Sequence, residues 1–364
     1  MQGDETRNEA RRVLGICNAC GYCNGFCDLF EAARRRPALA DTDLAHLANL
    51  CHGCRACFYA CQYAPPHVFA VNIPRSLARV RHESYLDHVW PRPLAILLKH
   101  SGLASLVCFG AIAFVLGLVL VSVPPEVLFA ENRGAGAFYR VIPLEWMLLV
   151  GLLPLGWSAL AMAIGLRRYW RATRTSSGQV SARALSSALR DVLILRNLRG
   201  GGPGCNDLDD RPSRGRRWLH QTMLFGFLLS FAATLTAAFY HHALGLQAPY
   251  PLLSLPVLLG TVGGGAISIA APGLAWLKWR GDRTPTAPEA EAADYVLLAL
   301  LLLVATTGLG LLGWRETPAM GVLLAVHLGS VLGFFLLLPY SKLVHAGYRF
   351  VALLVEAIER EEVR

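Results

Sequence analysis

The sequence predicts a mainly α-helical protein: a small polar head that holds two metal clusters, joined to a six-helix transmembrane bundle. Three observations predict it. Eight of the ten cysteines fall in two copies of one C-x2-C-x2-C-x3-C run, Cys17, Cys20, Cys23, Cys27 and Cys51, Cys54, Cys57, Cys61. Hydrophobic residues make up 54% of the 364 and mean hydropathy is +0.42, with several apolar stretches of about 20 residues, the length of a hydrocarbon span. The basic residues behind the net charge of +9 gather in segments between those stretches.

The head comes first, over residues 1–93. Each cysteine run has the ligand spacing of a protein with two [4Fe-4S] clusters, in which the fourth cysteine of a run usually ligates the other cluster. That rule assigns Cys17, Cys20, Cys23 and Cys61 to one cluster, and Cys51, Cys54, Cys57 and Cys27 to the other. Two self-contained sites are the alternative, because spacing alone does not decide the crossing. Disulfides fit poorly: the first 16 residues are polar and lack an apolar export signal, so the segment is expected to stay in a reducing compartment. Zinc needs only four ligands per site and has no use for the doubled run. Between the runs, Leu39, Leu44, Leu47 and Leu50 are spaced for a helix. Pro65, Pro66 and Pro74 then punctuate an irregular connection, and a short helix over 75–88 follows. Strand-like alternation is weak, so the head is expected to be a helical, ferredoxin-like domain.

Six spans follow, at about 101–123, 144–166, 219–240, 252–275, 293–313 and 319–341. They divide the rest of the chain into a first helix pair (94–166), a basic loop (167–218), a four-helix region (219–350) and a tail (351–364). The basic loop holds twelve arginines, and Lys278, Arg280 and Arg283 follow the fourth span, whereas the opposite connections hold only Arg133, Arg140 and Arg315. By the positive-inside rule the head, both basic loops and the tail face the cytoplasm, which places the chain in the inner membrane. Inside the basic loop, SSALRDVLILRNL reads as an amphipathic helix lying on the membrane or on the head. Cys205, within GGPGC, reads as part of a tight turn, with extra ligand or redox-sensitive thiol as alternatives; Cys108 reads as a packing residue. The glycines and Pro272 of the fourth span point to a kink or close helix packing.

Histidines in or beside spans are the second informative set, since such groups are costly there and usually have partners. His220 opens the third span and His345 follows the sixth, both on the head side. At helical rise, His327 lies about 27 Å from His345 and His241 about 31 Å from His220, which gives two depths. Two axial imidazoles would make a low-spin haem b, suited to electron transfer. The plain alternatives are interfacial histidines bonded to carbonyls, and His327 as a buried donor bonded across helices. The positive charge is not a nucleic-acid signature, because aromatic–basic interleaving is absent. GTVGGGAIS lies in an apolar span rather than after a strand, which excludes a dinucleotide cradle.

The doubled run, GGPGC, RRWLHQTMLFGFLLSFAATLTAAFYHH, APYPLLSLPVLLGTVGGG and LLPYSKLVH together resemble the tricarballylate/citrate-utilisation membrane proteins, over most of the chain. The resemblance implies a protein that reoxidises the FAD of a separate tricarballylate dehydrogenase and passes electrons to the quinone pool. A redox partner of a cobalamin-pathway flavoprotein and a redox-sensing transporter are the alternatives. LLPYSKLVH is also similar to the end of the haem region in nitrate reductase γ subunits. By position, His345, His327 and His220 match haem ligands of that wider family. The fourth position is Ser230 here, so a second haem would need His241 or His242 instead. Each ferredoxin run ends in Cys-Pro, whereas Asp28 follows Cys27 and Gln62 follows Cys61.

Overall fold

The structure is a computed structural model that describes residues 2–174 and 178–362. Residues 175–177 of the expected basic loop, Met1 of the head and 363–364 of the expected tail lie outside the described residues. The described residues are helical throughout apart from turns and one antiparallel bridge, Cys205 with Ser213.

Five helices build the head: α1 (Gln2–Cys20), α2 (Asp28–Arg34), α3 (Asp41–Leu50), α4 (Ala56–Tyr59) and α5 (Ile73–His88). In α1, Asp4 and Glu5 sit in the first turn, where they complement the helix dipole. Ala10, Val13 and Leu14 recur at helical spacing and are fully buried. Leu44, Leu47 and Ala48 of α3 and Leu77 and Val80 of α5 complete the same core. Asn72 caps α5, its Oδ1 accepting from the Arg75 N–H at 3.1 Å, with Pro74 in the first turn.

After the short α6 (Ala95–Lys99), the first span is α7 (Ser101–Ser122). Two short helices, α8 (Pro125–Leu128) and α9 (Ala137–Val141), lead to α10 (Leu144–Thr173). The amphipathic α11 (Ala182–Leu193) precedes the remaining spans α12 (Gly215–Leu244), α13 (Leu255–Arg280), α14 (Pro288–Gly313) and α15 (Met320–Leu337). All six expected spans are present, and all are long and apolar enough to cross a membrane. At 30 residues, α10 is about 45 Å long and exceeds a hydrocarbon core of about 30 Å. Its last turns therefore leave the bundle and enter the head. There Tyr169 is fully buried with Tyr85 and Tyr348, and its hydroxyl donates to the Ala45 carbonyl at 3.3 Å.

Glycines set how closely the spans approach. A Cβ on Gly263 of α13 would sit 2.6 Å from Ser230 Oγ and 2.8 Å from the Gly226 carbonyl oxygen of α12. One on Gly333 of α15 would meet the Cys108 Cα of α7 at 3.1 Å, so Cys108 packs between two helices. The small side of one helix thus admits the backbone of the next.

The C-terminal segment is not a free tail. Helix α16 (His345–Glu362) buries Ala352, Leu353, Leu354 and Ile358 in the head core, beside Ala184 and Ala188 of α11. SSALRDVLILRNL thus starts with a helix that lies on the head. Charged pairs flank this joint. Arg35 meets Glu356 at 2.6 Å, Arg36 pairs with Glu359 and Asp43, and Arg360 pairs with Asp28. The loop after α13 attaches to the head too, through Tyr59 to Asp282 at 2.7 Å and Asn72 to the Thr284 carbonyl at 2.9 Å. Head, basic loop, α13–α14 connection and α16 therefore gather at one end of the bundle.

Candidate functional site

The first cysteine run unwinds from a helix. Cys17 and Cys20 lie in the last turns of α1, Gly21 takes φ +67° to end it, Cys23 sits in the following turn, and Cys27 caps α2. The second run starts where α3 stops. Cys51 caps α3, Gly53 and Arg55 turn the chain with positive φ, Cys57 lies in α4, and Cys61 follows it.

Folding brings these thiols together across the runs. Cys17, Cys20, Cys23 and Cys61 line one cavity of about 250 Å³, closed by Ile16, Tyr22 and Tyr63. Burial and the neighbouring thiols Cys23, Cys61 and Cys20 push Cys17 up to about 12. Burial, Cys61 and Cys20 push Cys23 up to about 11. The second group is buried more deeply. Burial raises Cys27 well above its usual range, with Cys54 and Cys51 adding to it. Cys57 is raised by burial, then by Cys54, Cys51 and Cys27, and last by Cys23 of the first group, so the two groups are neighbours.

Such thiols do not ionise unaided, and bound iron would supply the compensating charge. The space that the outer group encloses bears on the metal. Among the described residues no three His, Cys, Asp or Glu side chains close on a single ion. Thiols spaced around a cavity of this size fit a cluster better than one tetrahedral zinc.

The residues at the ends of the runs explain the missing prolines in part. Asp28, after Cys27, is buried and held by Arg360 and by Arg196 at 3.2 Å, so it ties α16 and the basic loop to the cysteines. Nothing in the structure explains Gln62 in the same way. GGPGC wraps the inner group. Gly204 has φ +134°, and a Cβ there would lie 2.4 Å from the Ser213 carbonyl oxygen. Cys205 is fully buried against Cys54, and its thiol donates to the Leu198 carbonyl at 3.3 Å. Burial pushes that thiol up to about 12.

Beneath the inner group lies a second cavity, between the head and the bundle. His220 and His345 both line it, together with His52 and Gly53 of the second cysteine run. The two imidazole centroids are 6.1 Å apart. Two metal–nitrogen bonds of about 2 Å each, plus half the width of each ring, give a separation of about 6 Å for imidazoles on opposite sides of one iron. His345 Nδ1 lies 2.6 Å from the Lys342 carbonyl. A carbonyl only accepts, so Nδ1 carries the proton and Nε2 keeps its lone pair. Burial, then Arg349 and His220, hold His345 well below the usual range, which keeps it neutral. His220 Nδ1 is buried without a partner.

This pairing does not depend on one continuous helix. The rise estimate runs the last span straight on to His345, whereas the chain breaks at Pro339 and Ser341, through two 3-10 turns and an extended residue, before α16 begins. The other two histidines have separate partners. His327 Nδ1 lies 3.0 Å from Thr307 Oγ1, across α14 and α15, and its ring lies against Gly308. His241 Nδ1 lies 3.3 Å from the Tyr139 hydroxyl, and its ring packs beside His242.

Sequence reasoning missed Arg81, Arg216, Arg349 and His52 at this cavity. Arg216 donates to the Gly53 carbonyl at 2.7 Å and Arg349 to the Cys51 carbonyl at 3.4 Å, so both hold the inner cysteine loop. The only hint in the sequence was that each lies within four residues of a cluster cysteine or of His220 or His345, or on α5 of the head.

A helical head with two cross-run thiol groups, set on six apolar spans, defines a membrane iron–sulfur protein. The profile of the citrate utilization protein B family matches residues 95–364, and that of its Fer4-like domain matches residues 10–87. Citrate utilization protein B of Escherichia coli is 40% identical over 361 residues, which cover 98% of this chain and 93% of the relative. The chain belongs to the citrate utilization protein B family. No solved structure matches it.

Proposed function

We propose that the protein carries electrons from a FAD-dependent, tricarballylate dehydrogenase-like partner to membrane quinone, through two [4Fe-4S] clusters and one haem b, with its head on the cytoplasmic face of the inner membrane. Cys17, Cys20, Cys23 and Cys61 would hold the outer cluster. Cys51, Cys54, Cys57 and Cys27 would hold the inner one, and His220 and His345 the haem. Bound, these groups supply one-electron carriers that a flavin donor and a quinone acceptor both need.

One observation carries the reading: His52 and Gly53, between two inner-group cysteines, line the same cavity as His220 and His345. The ligand loop of the head is thus also a wall of the membrane pocket. The chain's own residues arrange entry and exit. Cys20 is exposed, and Tyr22 beside it is 67% exposed, so the outer group meets solvent where a soluble partner can approach. The inner group is sealed by GGPGC and α16. Arg216 and Arg349 fix the loop that lies between the inner thiols and the histidines. His220 and His345 face each other, whereas His327 lies on Gly308 and His241 on Tyr139, which supports one haem rather than two.

The test uses the full chain, purified anaerobically and returned to lipid, with a reduced tricarballylate dehydrogenase and a quinone analogue. Flavin reoxidation that depends on this protein, with cluster signals by electron paramagnetic resonance and a haem α-band that reduce and reoxidise in turn, is the expected result. Intact metal centres without any transfer would overturn the route. A sample without acid-labile sulfide would overturn the clusters.

A further inference from the structure

The cavity between His220 and His345 carries more charge than axial ligation needs. Its lining holds six basic and three acidic side chains. Two of the acids are taken. Asp294 binds Lys278 at 2.8 Å and Lys342 at 3.1 Å, and Asp207 binds Arg216 at 3.3 Å. Arg81 and Arg349 have no carboxylate partner among the described residues. Arg81 is 7% exposed. Its Nε donates to the Ala48 carbonyl at 2.7 Å, which fixes the guanidinium, while Nη2 is buried without a partner. Arg349 reaches the Cys51 carbonyl with Nη2, and its Nε is likewise buried and unpartnered. Leaving charged donors unsatisfied in a buried site is costly, so two such guanidiniums on one cavity imply an anionic ligand.

We propose that Arg81 and Arg349 form a carboxylate seat for the two propionates of the porphyrin that His220 and His345 would hold. The inference rests on the haem reading above and adds its orientation: the propionate edge turns toward the head, not toward the lipid. Guanidinium and carboxylate match in shape and charge, and such pairs are the stronger kind of hydrogen bond. Arg81 belongs to α5 of the head and Arg349 to α16, whereas His220 belongs to the bundle. A ligand bound to all of them would clamp the head onto the membrane helices. Arg349 would also join the propionate seat to the backbone of Cys51, an inner-cluster ligand.

The test compares haem b with its dimethyl ester, which keeps the iron and the ring but loses both negative charges. Haem-depleted full-length protein is titrated with each, and Arg81→Ala, Arg349→Ala and the double variant are treated alike. The wild type is expected to bind haem b about ten-fold or more tighter than the ester, since charge-assisted bonds are the ones lost. The double variant should bind the two equally and keep a low-spin, two-histidine spectrum. Its haem midpoint potential should fall, because a removed positive charge no longer favours the added electron. A wild-type far-ultraviolet circular dichroism spectrum and a cooperative thermal transition report folding. If the alanine variants do not fold, Arg81→Lys and Arg349→Lys, which keep the charge and lose the fork, should show a reduced preference. Unchanged discrimination and potential in folded variants would overturn the seat. A wild type that binds neither compound with a low-spin spectrum would overturn the haem reading itself.

Discussion

At the head side of the bundle, His220 and His345 face each other across a cavity lined by arginines and lysines. Deeper in, His327 is held by Thr307 and pressed on Gly308, and His241 rests on Tyr139. Four similar side chains thus sit in two different kinds of surroundings. Ten residues after His220, at Ser230, α12 meets α13 at the distance that Gly263 permits. Close packing there leaves the helices nothing between them, whereas near the head a break in the chain at Ser341 and the inserted cysteine loop hold the elements apart. A histidine in a span is thus a ligand candidate only where the packing leaves a gap.

The largest expected effect tests that contrast directly. His345→Ala and His220→Ala should each abolish the low-spin haem spectrum, while His327→Ala should keep it at the wild-type level. Pyridine haemochrome assays of the three purified variants measure this. Haem loss in His327→Ala with retention in the other two would reverse the assignment. The inner cysteines give the next effect. Cys57→Ser should remove one of two clusters, so cluster iron and acid-labile sulfide fall by about half. Haem would remain, but reduced flavoprotein should no longer reduce it. Cys205→Ala should keep full iron, because that thiol is bonded to the Leu198 carbonyl.

A third prediction concerns how the head stays on the near end. Arg36, two residues past the end of α2, pairs with Glu359 of α16, with side chains 6% and 10% exposed. Glu359→Gln would leave the buried guanidinium with Asp43 as its remaining carboxylate, at a cost of about 1–3 kcal/mol. Limited proteolysis should then release the C-terminal helix earlier than in the wild type, and the variant's thermal midpoint should fall. Unchanged protease resistance would mean that the apolar face of α16, with Leu353 and Ile358, holds it alone.

Much of this was legible in the sequence, for reasons that differ by region. The eight cysteines carry their spacing with them, and the spans announce themselves by length and apolarity, so both were readable residue by residue. The pairing of Cys61 with the first run is an expectation from a rule, and in the structure Cys61 lines one cavity with Cys17, Cys20 and Cys23. His220 and His345 stood out because polar groups at span ends are conspicuous. Arg81 and Arg349 did not, because arginines are common at the head side and only folding separates paired from unpaired ones. The docking of α16 was hidden for a similar reason. Its apolar residues are ordinary for any amphipathic helix, and their partners lie some 300 positions away, in α1 to α3. Long-range contacts of that kind have no local signature.

The smallest effect addresses the deep end of the comparison. Gly263→Ala would place a Cβ against Ser230 Oγ, the Ser230 nitrogen and the Gly226 carbonyl oxygen, two of them backbone atoms that cannot swing aside. The helices must separate slightly, at a cost of about 1–3 kcal/mol. Gly265→Ala, two residues on in the same helix, meets nothing within 4 Å. It removes only backbone freedom, so it should be neutral or slightly stabilising. A thermal scan in detergent should therefore separate the two substitutions, with only Gly263→Ala lowering the midpoint. Haem and iron content should stay at the wild-type level in both, since His220 lies more than two helical turns from Ser230. Equal midpoints would mean that α12 and α13 are not tightly joined at Ser230, and the absence of a gap there would no longer distinguish the deep end from the near one.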